Sequence, residues 1–286
     1  MRVLVTGGSG RLGQFTIAEL LKHGHEAVNA DRVAPTNPRA PKEAREVRYI
    51  QTDLSDVGQV AGAMTGCDAV IHLGAIAAPY HHADEFVFKN NVLSTFSVLQ
   101  AASLLGVKKA AFASSISALG TAYAPVPFAP AYAPVDEEIP LLNHDCYGLS
   151  KEVDERTGQM FVRRFDMQVL ALRFHWVAYE EEVPPRAKEV EADPMFDNWW
   201  RLLWGWVDVR DAAQMCRLSV EADGLGFEAF NCTAADTISN LPTEPLIKTY
   251  APHVELRAPI AGFNSAFSIE KARRLLGYDP KHTWRT

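Results

Sequence analysis

The stretch Val3-Leu4-Val5-Thr6-Gly7-Gly8-Ser9-Gly10-Arg11-Leu12-Gly13 lies almost at the first residue and decides the fold of the chain. Residues 1–5 form a short apolar run rich in β-branched side chains, which predicts a buried strand. Apolar residues at helical spacing follow over residues 11–23. A strand, a glycine-rich turn and a helix in this order place a helix N-terminus where it can bind a dinucleotide pyrophosphate. The sequence therefore predicts a dinucleotide site, contacted by Gly7, Ser9, Gly10, Arg11, Leu12 and Gly13.

Length and composition limit the class of protein. The chain has 286 residues, 48% hydrophobic and 22% charged, which is ordinary for a globular protein and enough for one large α/β domain with a small lobe. A net charge of −7 argues against a nucleic-acid or membrane partner, because those surfaces need a basic face. The four cysteines lie far apart, and no apolar run approaches the roughly 20 residues of a membrane span. We therefore expect a cytoplasmic protein.

Strand and helix signals alternate over the first 174 residues. Further strands are predicted at 26–31, 47–54, 68–75, 109–115 and 168–174, and long helices at 83–105 and 145–165. This alternation indicates parallel strands joined by right-handed crossovers. Residues 33–46 and 120–144 contain several prolines and are predicted to be loops. The sequence therefore predicts an α/β protein with a Rossmann-type doubly wound parallel sheet.

The second predicted strand ends in Asp31, about where a dinucleotide fold places the carboxylate that accepts hydrogen bonds from the adenosine ribose. A carboxylate at this position repels the 2′-phosphate of NADP, so NAD is the predicted cofactor. Arg32 follows immediately and would instead pair with that phosphate. NADP therefore stays open as the alternative.

Beyond residue 174 the pattern is weaker. A short strand leading into a helix is predicted at 207–221, a strand at 227–233, and a helix at 268–276 that ends at Gly277. Four tryptophans follow the acidic residues 179–198 and either line a substrate lid or a subunit contact, or pack in the core: Trp199, Trp200, Trp204 and Trp206. We expect residues 1–174 to form the NAD-binding domain and residues 175–286 a small C-terminal substrate lobe interleaved with it.

The stretch Tyr147-Gly148-Leu149-Ser150-Lys151 carries the candidate chemistry, with a phenol and an ammonium at positions i and i+4 of a predicted helix. A free tyrosine titrates at about 10 and is a poor base at neutral pH. A lysine one turn away and a positively charged nicotinamide ring both favour the phenolate. Tyr147 would then accept a proton from a secondary alcohol as hydride leaves the carbon, or return it during reduction.

The histidines do not predict a metal site. His72 belongs to a predicted strand, and His81 and His82 lie in a loop. No carboxylate or further histidine stands at ligand spacing from them. We therefore predict no metal.

These motifs together resemble the extended short-chain dehydrogenases/reductases, and in particular the NAD-dependent epimerase/dehydratase group. Besides the glycine-rich stretch, the resemblance rests on Asp31, Asp53-Leu54, His72-Leu73-Gly74-Ala75, Asn91-Val92-Leu93-Ser94-Thr95, Ser114-Ser115, Tyr147 to Lys151, Val207 to Asp211 and Ser268 to Ala272. It is strong to about residue 174 and thin afterwards. The resemblance implies a Rossmann fold, bound NAD and a homodimer joined through the helices at 83–105 and 145–165.

The resemblance also implies roles for single residues. Tyr147, Lys151 and Ser115 would be catalytic, with Ser115 hydrogen-bonding the reacting oxygen and Ser114 as the alternative serine. Lys151 would also hold the nicotinamide ribose, and Asn91 would stabilise the site from the long helix. Further cofactor contacts are implied for Asp31, Arg32, Asp53, Leu54, Leu73, Gly74, Ala75 and Tyr147.

The substrate side departs from the pattern of nucleotide-sugar enzymes. Those enzymes typically carry an asparagine shortly after the strand that ends here at residue 174, whereas Trp176 occupies that position in this chain. Trp176 would form an apolar wall against a small substrate, or pack in the core. The C-terminal region is also short for an enzyme that must bind a nucleotide diphosphate.

We therefore expect an NAD-dependent oxidoreductase that transfers hydride to or from a secondary alcohol or hemiacetal of a small sugar, sugar acid or polyol. The alternative enzyme is a nucleotide-sugar epimerase that oxidises its substrate transiently. The alternative of a different class is a cofactor-bound regulatory or scaffold protein. The intact Ser115, Tyr147 and Lys151 count against that last alternative.

Overall fold

The computed structural model describes residues 1–285 and contains eleven strands in that range. The strands are β1 (Arg2–Thr6), β2 (Glu26–Asp31), β3 (Arg48–Gln51), β4 (Ala69–His72), β5 (Lys109–Ser115), β6 (Tyr132–Ala133), β7 (Gln168–Phe174), β8 (Val177–Ala178), β9 (Val207–Asp208), β10 (Phe227–Cys232) and β11 (Glu255–Leu256). The α-helices are α1 (Arg11–Lys22), α2 (Val57–Met64), α3 (Asp84–Leu105), α4 (Cys146–Phe165), α5 (Val183–Ala192), α6 (Val209–Glu221), α7 (Thr243–Tyr250) and α8 (Glu270–Leu276). Within residues 1–285, no helix is both long and apolar enough to cross a membrane.

Seven strands form one parallel sheet in the order β10-β7-β5-β4-β1-β2-β3. β1 pairs with β2 on one side and with β4 on the other, so the strand order reverses there. Val3 and Val5 face the apolar cluster that includes α1 and α6, and Leu4 faces the cluster that includes α2, α3 and α4. Helices on both faces of a parallel sheet define a doubly wound fold, and that prediction is confirmed.

The predicted bounds of several elements differ from the observed ones. The strands predicted at 47–54 and 68–75 are only four residues long, because the residues that follow each strand turn into a loop at the carboxyl edge of the sheet. The sequence pattern does not predict α2, α5 or α7. Two glycines weaken the helical signal of α2, Gly58 and Gly62, and two prolines weaken that of α5, although proline suits the first turn of a helix.

The C-terminal third contributes to two separate cores. Residues 207–232 return to the sheet, where β10 pairs with β7 and α6 packs against α1. Residues of α8 also pack on the sheet. The segments at 199–206 and 234–267 build a second apolar cluster around Trp199, Trp200, Trp204 and Trp206, together with residues of the loop at 116–139. Each of these tryptophans is at most 8% exposed, so of the two alternatives the structure supports core packing. The division at residue 174 stays a prediction.

A buried ion pair joins α4 to the sheet. The Arg173 guanidinium on β7 donates from Nε and Nη2 to the two carboxylate oxygens of Glu155, at 2.9 and 2.8 Å. Arg173 Nη1 donates to the Glu137 carbonyl oxygen at 3.1 Å. Both side chains of the pair are about 5% exposed. The pair fixes the position of α4, which carries the candidate catalytic residues, against β7.

We predict that Arg173→Met lowers the free energy of unfolding by about 3–5 kcal/mol, because it leaves the buried Glu155 carboxylate without a counter-ion. Urea denaturation followed by circular dichroism measures this loss. The matched control is Lys248→Met, which removes an exposed pair with Glu244 and should change the free energy of unfolding by less than about 1 kcal/mol. Equal losses in the two variants would contradict the prediction.

Candidate active site

The glycine-rich turn lies between β1 and α1 and excludes side chains. Gly7 has φ of +67°, and a Cβ there would lie 2.5 Å from the Gly74 backbone nitrogen. A Cβ on Gly13 would lie 2.2 Å from the Gly7 carbonyl oxygen. α1 begins after Gly10 without a side-chain N-cap, so its first backbone N–H groups stay available to a bound anion. The turn therefore has the shape and the donors that a dinucleotide pyrophosphate requires.

Two other residues of the turn are engaged by their neighbours. Arg11 forms an ion pair with Glu182, and its Nη1 donates to the Val177 carbonyl oxygen at 3.2 Å. The Leu12 side chain packs against the core cluster that includes α1. Leu12 therefore offers a cofactor its backbone only, and Arg11 connects the turn to the segment that follows β8.

The acidic residue predicted to select the cofactor lies beside the turn. Asp31 Oδ2 accepts a hydrogen bond from the Ser9 backbone N–H at 3.1 Å. Arg32 donates from Nη2 to Asn90 Oδ1 at 3.1 Å and lies 3.6 Å from Asp53 Oδ1. Hydrogen bonds from Ser55 lower the pKa of Asp53, and the Arg32 charge lowers it further. Arg32 is thus already paired, which favours NAD over a cofactor with a 2′-phosphate.

The loop after β4 is held from two sides. A Cβ on Gly74 would lie 2.2 Å from Leu54 Cδ1, so Leu54 packs directly against this loop. Asn91 on α3 accepts at Oδ1 from the Ile76 N–H (2.8 Å) and donates from Nδ2 to the Ile76 carbonyl oxygen (3.0 Å). Asn91 Nδ2 also donates to Ser150 Oγ at 3.1 Å. Asn91 therefore ties the loop that contains Leu73, Gly74 and Ala75 to α4.

Tyr147 and Lys151 lie on one face of α4 and are buried. Asp145 caps this helix, with Oδ1 accepting the Gly148 N–H at 2.8 Å. Lys151 Nζ lies 5.9 Å from the centroid of the Tyr147 ring. Tyr147 is 7% exposed and Lys151 2%. The ammonium therefore lies beside the phenol ring in a poorly solvated site.

The two serines at the end of β5 differ in their partners. Ser114 Oγ donates to Glu155 Oε1 at 2.7 Å and belongs to the buried ion pair described above. Ser115 Oγ accepts the Ser117 N–H at 3.0 Å, and no residue in the range 1–285 accepts its hydroxyl proton. This difference supports Ser115 as the serine that can donate to a substrate oxygen.

Arg201 is a candidate site residue that the sequence analysis misses. It is 8% exposed, forms no ion pair with any residue in the described range 1–285, and has no partner for its Nε. Its Nη1 donates to the Ala124 carbonyl oxygen at 3.0 Å. Burial lowers the pKa of Arg201, and the neighbouring Tyr80 hydroxyl raises it. The Tyr80 ring packs on Tyr123 at 5.1 Å, and Tyr123 packs on Tyr147 at 6.3 Å.

The segment around Arg201 has an unusual backbone. Four nearby residues other than glycine have left-handed φ angles between 47° and 61°: Asp197, Asn198, Leu203 and Trp204. Such conformations cost free energy and often occur at functional sites. His175 stabilises the segment, because its Nε2 donates to the Leu202 carbonyl oxygen at 3.1 Å while Nδ1 accepts the Trp176 N–H at 2.7 Å. Burial lowers the pKa of His175 to about 4, so it is neutral, as this pair of bonds requires.

Trp176 lies between β7 and β8 and is partly buried. Its ring contacts Trp199 edge-on, with centroids 5.3 Å apart, and packs against the second core. Its role toward a substrate stays a prediction. Among residues 1–285 no group of three or more His, Cys, Asp or Glu side chains could hold a metal ion.

The family model that matches the chain is that of the NAD dependent epimerase/dehydratase family, over residues 3–233. The chain belongs to this family. A solved structure of a short-chain dehydrogenase/reductase superfamily protein from Agrobacterium tumefaciens with bound NAD superposes with a TM-score of 0.72. That structure is 22% identical to this chain, and the match covers 99% of this chain and 94% of that one.

Three curated relatives are also similar. A UDP-glucose 4-epimerase from Corynebacterium glutamicum is 26% identical over 314 residues, covering 99% of this chain and 92% of the relative. An NAD-dependent glucose-6-phosphate dehydrogenase from Haloferax volcanii is 28% identical over 289 residues, covering 98% and 92%. A uronate dehydrogenase from Pseudomonas putida is 31% identical over 172 residues, covering 60% and 59%.

The comparisons confirm four predictions from the sequence: the family, the Rossmann-type fold, an NAD-dependent enzyme of the short-chain dehydrogenase/reductase type, and NAD as the cofactor. The glycine-rich turn and the neighbouring Asp31 carboxylate are consistent with NAD binding. The roles assigned to single residues stay predictions.

We predict that the protein binds NADH more tightly than NADPH and that Asp31→Ser narrows the difference, because it removes the charge that repels a 2′-phosphate. Fluorescence titration with each reduced cofactor measures both affinities. Glu26→Gln, an exposed change on the same strand, is the control and should leave both affinities unchanged. A native preference for NADPH would overturn the assignment of Asp31.

Proposed function

We propose that the protein is a dehydrogenase that oxidises a sugar bearing an acidic group, such as a sugar acid or a sugar phosphate, and releases NADH. The observation that carries the proposal is the buried Arg201, which has no acidic partner among the described residues. Its charge interacts with the hydroxyl of Tyr80, the far member of the ring series Tyr147-Tyr123-Tyr80. A buried unpaired guanidinium is costly unless an anion compensates it. The substrate anion would supply that compensation.

The reacting end of the substrate would lie at Tyr147 and Ser115. Tyr147 would remove the hydroxyl proton, and Ser115 would donate a hydrogen bond to the same oxygen as charge develops on it. Lys151 would favour the Tyr147 phenolate and hold the nicotinamide ribose. Asn91 would hold the loop that follows β4 in a fixed position relative to α4. NAD, when bound, supplies the hydride acceptor.

The names of the relatives fit this substrate class. Uronate dehydrogenase and glucose-6-phosphate dehydrogenase are named for sugars that carry a carboxylate or a phosphate. The second candidate function, a nucleotide-sugar epimerase, is supported by the Corynebacterium relative, which is a UDP-glucose 4-epimerase and matches almost the whole chain. Arg201 would then bind a diphosphate. We favour the dehydrogenase because Trp176 replaces the asparagine expected of nucleotide-sugar enzymes.

The chain would act as a homodimer in the cytoplasm. In support of the dimer, α3 and α4 expose apolar side chains, namely Phe86, Leu93 and Phe96 on α3 and Leu149 on α4. In support of the location, the four cysteines are free thiols, which suits a reducing compartment. The segments after residue 174 that surround Arg201 would form the substrate lobe.

We predict that Tyr147→Phe lowers turnover by roughly 10²–10⁴, the usual effect of losing a general acid or base, while NADH binding survives. Steady-state NADH formation and NADH fluorescence measure the two quantities. Tyr132→Phe, which removes a hydroxyl bonded to Asp136 away from Tyr147, is the control and should retain turnover. Near-native turnover in Tyr147→Phe would show that this residue is not the proton acceptor.

We predict net NADH accumulation with an acidic sugar, and we predict that Arg201→Met lowers kcat/KM for it roughly ten- to a hundredfold. That range corresponds to losing about 1.5–3 kcal/mol of hydrogen bonding to a charged group. A panel of uronates, aldonates, sugar phosphates and the matching neutral sugars measures the effect, with the neutral sugars as the internal control. Interconversion of nucleotide sugars without net NADH would reject the dehydrogenase and favour the epimerase.

A further inference from the structure

Asp154 lies one helical turn after Lys151, and no step of the proposed reaction uses it. Its side chain is completely buried, and Oδ2 lies 3.3 Å from Lys151 Nζ. Lys151 is itself only 3% exposed at the side chain. Asp154 is the acid that pairs with this ammonium among the described residues 1–285.

The other groups around Asp154 do not neutralise it. Glu155, the neighbouring acid, is occupied by Arg173 and Ser114. Asp154 Oδ1 has no hydrogen-bond partner among residues 1–285. A fully buried carboxylate with an unsatisfied oxygen destabilises a fold, and an apolar residue at this position would pack without that cost. The position therefore requires an explanation other than stability.

We infer that Asp154 is a positioning residue whose carboxylate is the buried counter-ion that holds the Lys151 ammonium in place beside Tyr147. Without a counter-ion, a buried ammonium moves toward solvent or loses its proton. Either change removes the positive charge that favours the Tyr147 phenolate. This inference rests on the proposed role of Lys151.

The pairing of Asp154 with Lys151 makes turnover depend on pH. Burial raises the pKa of Asp154 to about 6, although the Lys151 charge and the Thr95 hydroxyl on α3 lower it. The Glu155 charge contributes to the rise. His72, at the end of β4, stays neutral because burial and the Lys151 charge lower its pKa to about 3. As the pH falls through about 6, Asp154 takes up a proton, the ammonium loses its counter-ion and turnover falls.

The first experiment compares wild type with Asp154→Asn, Lys151→Met and the double variant. We expect Asp154→Asn to lower turnover well above pH 6 by up to about 100-fold, because a displacement of about 1 Å in a catalytic group can cost that much. It should also weaken NADH binding, measured by fluorescence without substrate, and abolish the loss of turnover near pH 6. In the Lys151→Met background, Asp154→Asn should have no further effect on NADH affinity, because it acts through Lys151.

The control is Glu270→Gln, which removes an exposed acid that pairs with a basic residue at the same i,i+3 spacing on α8. It should match wild type. If Asp154→Asn behaves like this control while Lys151→Met is impaired, the inference is wrong and the proposed function stands. If Lys151→Met itself keeps native turnover and NADH affinity, the proposed role of Lys151 fails, and the inference fails with it.

A second variant avoids any dependence on whether Asp154→Asn folds. Thr95→Val removes the hydroxyl that lowers the pKa of Asp154 and keeps the size of the side chain. The midpoint of the fall in turnover should therefore move to higher pH, with turnover well above the midpoint unchanged. A midpoint that stays at the wild-type pH would overturn the inference.

Discussion

The fold depends on a steric constraint at the carboxyl edge of the sheet. There the turn after β1, the start of α1 and the loop after β4 approach within distances that leave no room for a Cβ at Gly7, Gly13 or Gly74. This close packing sets the entry angle of α1 and brings Asp31 next to the turn. It also fixes the β4 loop, which Asn91 connects to α4. Asn91 thus connects the helix that carries Tyr147 and Lys151 to this edge of the sheet.

Three buried basic residues around the site have different electrostatic environments. Arg173 is fully matched by the Glu155 carboxylate, and its role is to hold α4 on the sheet. Lys151 is paired with an acid that is itself incompletely hydrogen-bonded. Arg201 has no acid in the described part of the chain. Removing one partner of a matched buried pair destabilises a fold, and a buried charge without a partner is a candidate for binding a ligand.

The sequence predicts most of the sheet because its signals are local. β2, β5, β7 and α4 have the predicted bounds, since apolar runs and the Asp145 cap identify them without tertiary information. The sequence pattern does not predict the helices α2, α5 and α7, because their glycines and prolines weaken the helical signal and packing stabilises these short helices. The sequence pattern also does not identify Arg201 and Asp154 as residues of the site. Their burial distinguishes them from exposed charged residues, and that burial depends on residues distant in the chain.

The apolar clusters on the sheet are separate from the cluster around the four tryptophans, and this separation affects how substrate recognition can change. The clusters on the two faces of the sheet contain the residues that support the NAD-binding loops, whereas the cluster around the four tryptophans supports the strained segment that carries Arg201. His175 and Trp176 form the short connection between them. If Arg201 binds the substrate as proposed, substitutions in the tryptophan cluster would change substrate recognition and leave cofactor recognition intact. New substrates could then arise through changes in the tryptophan cluster, while the clusters on the two faces of the sheet keep the hydride chemistry unchanged.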